Sequence, residues 1–201
     1  MSALRFETHL GQEILPFVKD VATMRIEGFR EFPYLYEGNM AYEEKYLEGY
    51  AKEPHAMLIR VLEGDKLAAV ATATPLDSGA DIVAEAPERF EARGHDPKTF
   101  YYYAEIIVKK AYRGRGIAEM IYREREHRAR QWGYRNVCLA VVKRPDDHPL
   151  RPADYKSPER IFERDGFVKT SIEIVYNWPT ILPHGKVEKK DNLMVFWTRS
   201  L

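Results

Sequence analysis

The 201-residue chain contains a single cysteine, Cys138, which excludes an internal disulfide and every multi-cysteine zinc motif. It has no excess of either charge: 31 Lys and Arg balance 31 Asp and Glu. That removes the broad electrostatic footprint expected of a partner for nucleic acid or an anionic membrane. No apolar run approaches the roughly 20 residues needed to span a bilayer. The first ten residues, MSALRFETHL, lack the hydrophobic segment of a secretory signal. The six histidines are scattered without ligand spacing, so no metal site is expected. Internal repeats and low-complexity tracts are missing too. What remains is an ordinary globular composition, 45% hydrophobic and 31% charged, enough to bury a core. The expectation is a soluble cytoplasmic protein with one domain over residues 1–201, monomeric or homodimeric.

The pattern along the chain mixes strand and helix. Residues 3–10 alternate apolar and polar, as a short strand does. Over residues 14–32 the positions Ile14, Phe17, Val18, Val21, Met24 and Phe29 recur at helical spacing, and Pro33 closes that helix. An unusually aromatic connection, residues 32–39, leads to a second helix over 41–52. Two apolar runs, 56–62 and 67–74, flank Gly64-Asp65 and read as a hairpin. The long connection 75–99 has room for a surface helix over 81–93. Residues 136–143 form a short apolar strand of the kind a sheet buries on both faces. Residues 144–154, with three prolines, read as loop. Ser157 and Pro158 supply an N-cap and a first helical position for a helix ending at Gly166. Strands are expected near 168–175 and 193–198, with a loop over 177–192 between them.

The most informative stretch is residues 101–133: an apolar strand, a basic turn Arg113-Gly114-Arg115-Gly116, and a helix. A glycine turn feeding a helix N-terminus leaves several amides without intrahelical partners. With the positive end of the helix dipole and two arginines, those amides suit a phosphate group. The helix carries Glu119/Arg123, Glu124/Arg128 and Glu126/Arg130 at i,i+4 spacing, a solvated charged face. Arg125 interrupts its apolar stripe and must snorkel or pair. A dinucleotide fingerprint fits poorly. The third glycine of G-x-G-x-x-G is missing, and no acidic residue ends the next strand.

Read from Arg113, the turn is Arg-x-x-Gly-x-Ala. Here the sequence resembles the GNAT superfamily of acyl-CoA-dependent N-acyltransferases, whose signature is Gln/Arg-x-x-Gly-x-Gly/Ala. The likeness extends to the strand end at Val108, to Ile121, Tyr122, Ala129 and Gly133, to Leu139 and Val141, and to the closing pair Gly166-Phe167. The order of elements agrees over nearly the whole chain. The resemblance implies an α/β (α+β) fold with a mixed, mostly antiparallel sheet of about six to seven strands flanked by helices. It implies acetyl-CoA as co-substrate, with no metal. The amides and side chains of Arg113, Gly114, Arg115, Gly116, Ile117 and Ala118 would surround the pyrophosphate. Backbone groups of Ile107 and Val108 would pair with the pantetheine arm as an added strand would, which requires that strand to splay from its neighbour.

Acetyl transfer to an amine needs a deprotonated nucleophile and a proton for the leaving thiolate. Glu105, alone in an apolar and aromatic strand, is the candidate base; a structural ion pair, for instance with Arg25, accounts for it equally. Many relatives carry a tyrosine proton donor where this chain has Phe162. Tyr155 is the substitute candidate, or a packing residue. His148 reads as a loop histidine. For the acceptor, a small-molecule or peptide amine, the resemblance points to the loop after the first helix, with Tyr34, Tyr36, Glu37 and Tyr42, and to the loop between the last two strands, with Trp178. A GNAT-like acyl-CoA-binding sensor without efficient catalysis is the alternative, motivated by Phe162.

Overall fold

The computed structural model describes residues 3–80 and 84–201. One seven-stranded sheet runs through it in the order β1-β2-β3-β4-β5-β7-β6. The strands are β1 (Leu4–Leu10), β2 (Met57–Glu63), β3 (Lys66–Pro75), β4 (Phe100–Val108), β5 (Asn136–Val142), β6 (Val168–Ile181) and β7 (Val187–Ser200). Only β4 and β5 are parallel; every other neighbouring pair is antiparallel.

Helices α1 (Val18–Phe29), α2 (Met40–Tyr50) and the short α3 (Ala86–Glu91) precede β4. Helix α4 (Ile117–Gln131) joins β4 to β5, and α5 (Glu159–Arg164) precedes β6. The first helix is shorter than its apolar spacing predicts. Residues Gly11–Phe17 are 3-10 helix containing Pro16, which has no N–H for a helical bond and fits only at a helix start. At the other end the helix stops at Phe29, leaving the chain free to turn before Pro33. Asn39 caps α2 by accepting from the Tyr42 amide at 3.2 Å. The expected helix over 81–93 narrows to α3; residues 81–83 lie outside the described residues.

The loop expected over 177–192 is instead a long hairpin, with β6 and β7 paired as far as Ile181 and Val187. Pro179 belongs to β6, an edge strand. Its carbonyl accepts from Glu37 N–H on the side away from β7. A strand residue points N and C=O the same way, so the N–H that proline lacks falls on the outer edge. There Ile181 N–H donates to Leu35 O, and Tyr36 forms an isolated bridge with Thr180.

The core has two faces. Tyr101, Tyr103, Ile117, Ile121 and Ala129 pack on the α4 side. Val21, Leu47, Leu58, Val70 and Ile107 pack with α1 and α2 on the other. Beyond its apolar stripe, α4 forms the three i,i+4 ion pairs its sequence spaces.

Alternation along β4 breaks once. Thr72 lies opposite Glu105 and Ala73 opposite Tyr103, so Ala104 is an extra residue, a β-bulge. Tyr101 and Tyr103 face α4, and strict alternation would put residue 105 there too. The bulge reverses the parity. Ile106 and Val108 take up the α4-facing series, while Glu105 and Ile107 turn toward α1.

Candidate active site

Parallel pairing between β4 and β5 lasts for three residue pairs, Phe100–Asn136, Tyr101–Val137 and Tyr102–Cys138. Beyond Tyr102 the strands diverge, as the pantetheine expectation required. A cleft of about 920 Å³ opens between residues 103–108 of β4 and 139–142 of β5. Its walls are completed by Gly28 and Phe29 of α1, the loop 31–34, Ala118, Tyr122 and Arg125 of α4, and most residues between 150 and 162. Gly28 lets α1 lie directly on β4: a Cβ there would stand 2.6 Å from Ile107 Cγ2.

At one end of the cleft lies the turn before α4. Gly114 and Gly116 have φ of 76° and 75°, a left-handed geometry that glycine adopts without penalty. A Cβ at either would meet nothing within 4 Å, so conformation and an open approach, not packing, call for glycine. Gly116 is the N-cap of α4, and among the described residues no side chain caps that end. The first amides of the helix therefore face outward without side-chain partners. Arg113 donates through Nε to Val108 O at 3.1 Å and pairs through Nη2 with Glu31 at 3.3 Å. Lys110 pairs with the same carboxylate at 3.2 Å. Arg115 turns toward β2, pairing with Glu63 at 2.9 Å. Arg113 and Ala118 line the cleft with Ile107 and Val108, whereas Gly114, Arg115, Gly116 and Ile117 lie beyond its lining. Ile117 is buried in the core beneath the turn. Free amides, a positive helix end and an unpaired strand edge fit a pyrophosphate with an extended arm.

Near the middle of the cleft sits Glu105. Its Oε2 is ion-paired with Arg25 Nη1, and Arg25 Nε pairs with Glu43 Oε2 at 2.5 Å. Side-chain exposure is 8% for Arg25, 0% for Glu43 and 2% for Glu105. The guanidinium also lies 4.5 Å from the centroid of Tyr46 and 5.1 Å from that of Phe29. Burial disfavours its charged form, but the Glu105 and Glu43 carboxylates and Tyr46 outweigh that and raise its pKa further. Glu105 Oε1 makes no hydrogen bond among the described residues. Both arrangements open at the sequence level thus meet here, a structural ion pair and a carboxylate oxygen left over.

Residues 144–158 form the far rim. Arg144 anchors it, donating to Pro33 O at 2.8 Å, Tyr34 O at 3.1 Å and Asn192 Oδ1 at 2.5 Å. Tyr155 lines the cleft edge-on to Phe32, centroids 4.7 Å apart. Burial raises its hydroxyl pKa, with Arg151 opposing and Glu159 adding to the shift. The phenol keeps its proton at neutral pH, as an acid must. The His148 ring lies tilted against the same Phe32, centroids 5.6 Å apart, and its Nδ1 accepts from Leu150 N–H. Burial and Arg144 lower its pKa against the opposing Asp147. Phe162 is a core residue between Phe167 and Trp197.

Tyr36 and Glu37 do not line the cleft. The Tyr36 hydroxyl faces Glu43, and burial with that carboxylate pushes its pKa up. Glu37 pairs with Arg30 at 2.5 Å on the surface. Of the residues expected at the acceptor pocket Tyr34 does line the cleft, and Phe29 and Phe32 complete its aromatic wall; Tyr42 and Trp178 lie outside the lining. Lys110, Glu43 and Arg125 escaped sequence reasoning as site residues; only the misfit of Arg125 in an apolar stripe signalled one of them. Among the described residues no cluster of His, Cys, Asp and Glu side chains could hold a metal ion, and no helix is long and apolar enough to cross a membrane.

The profile of the acetyltransferase (GNAT) family matches residues 22–151. No curated protein matches the chain by sequence. Among solved structures, an N-acetyltransferase from Staphylococcus aureus Mu50 superposes with TM-score 0.61 at 11% identity, covering 99% of both chains. Salmonella typhimurium yncA, solved with acetyl-CoA, gives 0.58 at 10% identity over 100% of this chain and 95% of its own. The ribosomal-protein-alanine N-acetyltransferase of Brucella melitensis gives 0.58 at 11% identity over 99% of each. At such identities the likeness is one of fold.

Proposed function

The chain belongs to the GNAT acetyltransferase family, and from that premise we propose that it transfers the acetyl group of acetyl-CoA to a primary amine of a small molecule or peptide. Transfer is by direct attack within a ternary complex. One observation carries the assignment: β4 parts from β5 after Tyr102 and runs, through a glycine turn, into a helix start with uncapped amides. The same arrangement accounts for both halves of the donor. Arg113, Gly114, Arg115, Gly116, Ile117 and Ala118 hold the pyrophosphate, with Lys110 adding charge at the mouth. The free edge of Ile107 and Val108 pairs with the pantetheine arm, directing the thioester into the cleft.

The acceptor enters from the opposite side, between Phe29, Phe32 and Tyr34 and the loop bearing Tyr155. Those aromatic faces suit an amine carried on an apolar or flat body. Glu105 takes the amine's proton, directly or through one water, using the oxygen that Arg25 leaves free. As the C–N bond forms and the C–S bond breaks, Tyr155 gives a proton to the departing thiolate. Cys138 is fully buried in β5, and burial raises its thiol pKa, which argues against a covalent acyl-enzyme.

A second reading, an acyl-CoA-binding sensor with negligible turnover, is favoured by Phe162, an apolar side chain where many relatives keep a proton donor. Free-thiol release from acetyl-CoA with a panel of amines separates the two. The transferase reading expects release above background with at least one amine. Tight CoA binding with none would select the sensor.

A further inference from the structure

Arg125 lies in the middle of α4 and is 1% exposed, yet among the described residues it pairs with no carboxylate. Its Nη2 donates to Thr72 O at 2.6 Å and also to Glu105 O, the two carbonyls flanking the β3–β4 bulge. An extra residue removes ladder partners from the strands around it. The parity reversal also leaves no β4 side chain pointing at α4 between Tyr103 and Ile106. The Arg125 guanidinium lies at that gap over the Tyr103 ring, whose centroid is 5.3 Å from the guanidinium carbon. Burial lowers the pKa of the guanidinium, with Tyr122 and Tyr103 opposing most strongly.

We propose that Arg125 is a positioning residue that holds the bulged peptide of Glu105 and so ties the catalytic carboxylate to the helix carrying the donor cradle. Glu105 is then gripped twice: its carboxylate by Arg25 from α1, its carbonyl by Arg125 from α4. Without the second grip, the bulge is free to slide by one residue. A slide returns residue 105 to the α4 face and removes its carboxylate from the cleft. Arg125 borders the cleft, but its guanidinium is turned to the two strand carbonyls, so it acts through Glu105, and its role rests on the transferase reading given above.

Arg125→Met preserves the stem and removes the donors; Arg125→Lys keeps a charge with a single donor centre. With the methionine variant, calorimetry should give CoA affinity within about threefold of wild type, while kcat falls at least tenfold at near-constant KM for acetyl-CoA. The lysine variant should fall between. Should the methionine variant fail to fold, the lysine variant carries the same test. A folded variant with wild-type kcat overturns the proposal, as does a loss of CoA affinity in step with kcat. Hydrogen exchange without ligand needs no acceptor, so it decides the point even where the transferase reading fails. Residues 103–107 should exchange at least tenfold faster in the variant while β5 and β7 keep wild-type rates; unchanged exchange at 103–107 refutes the clamp.

Discussion

Arg25 and Glu105 are separated by 80 positions in sequence and meet as a buried ion pair between α1 and β4. The same guanidinium holds Glu43 of α2, so one side chain joins three elements that reach the site from different parts of the chain. Replacing Arg25 with Met strands two buried carboxylates, and breaking a buried pair costs about 3–5 kcal/mol. Urea denaturation should show a loss of that order, partly recovered by adding Glu43→Gln. A loss below about 1 kcal/mol, the scale of an exposed pair, would show that the network carries little.

Glu105→Gln keeps the shape of the side chain and removes its basicity. General-base catalysis contributes about 10²–10⁴-fold, so kcat for thiol release should fall at least 100-fold while calorimetry finds CoA affinity unchanged. A variant within threefold of wild type would leave Glu105 a purely structural partner of Arg25.

Gly116 separates conformation from charge. Gly116→Ala places a Cβ in open space but at φ 75°, costing roughly 1–2 kcal/mol of stability. Gly116→Asp adds a negative charge where the pyrophosphate is expected. CoA affinity should therefore drop at least tenfold more for Asp than for Ala. Equal affinities would move the phosphate site elsewhere.

Tyr155→Phe removes a hydroxyl and keeps the edge-on contact with Phe32. As the proton donor it should lower kcat about 100-fold or more with little change in melting temperature. Unaltered turnover would make Tyr155 wall packing, and the thiolate would then take its proton from water.

The rim loop should respond to acid through His148. Its pKa in the folded protein lies below the ordinary value of 6.5 because burial and Arg144 disfavour the cation. The stability it contributes is fully present above pH 6.5 and is lost as the pH falls through the lowered value. His148→Asn should therefore lose less melting temperature than wild type between pH 7.5 and 5. Parallel pH slopes would show that the ring titrates alike in folded and unfolded chains.

The hairpin β2–β3 and the strand–turn–helix unit were legible because each is set by local chemistry, a Gly-Asp turn in one and glycines before an amphipathic helix in the other. The bulge was not. Tyr102, Tyr103 and Ala104 fit either face of a sheet, so nothing local announces that the parity reverses before Glu105. Arg125 is intelligible only once that reversal is known. The β6–β7 hairpin was hidden by Pro179, whose tolerance depends on lying at a sheet edge, a property of the whole topology. Tyr34, Tyr36 and Glu37 carry the right chemistry for an acceptor pocket, but the loop places only Tyr34 on the cleft, beside Phe32, and spends the other two on α2 and the surface.

That loop is pinned as well as placed. Glu37 N–H to Pro179 O and Ile181 N–H to Leu35 O dock its backbone on β6, and Arg144 ties the opposite rim to Pro33 and Tyr34. The entropy of fixing these segments is therefore lost when the protein folds rather than when an amine arrives. On the proposed function, an acceptor therefore meets an already ordered rim. Its association should proceed without a slow conformational phase, and its selectivity should come from shape rather than from closure of a lid.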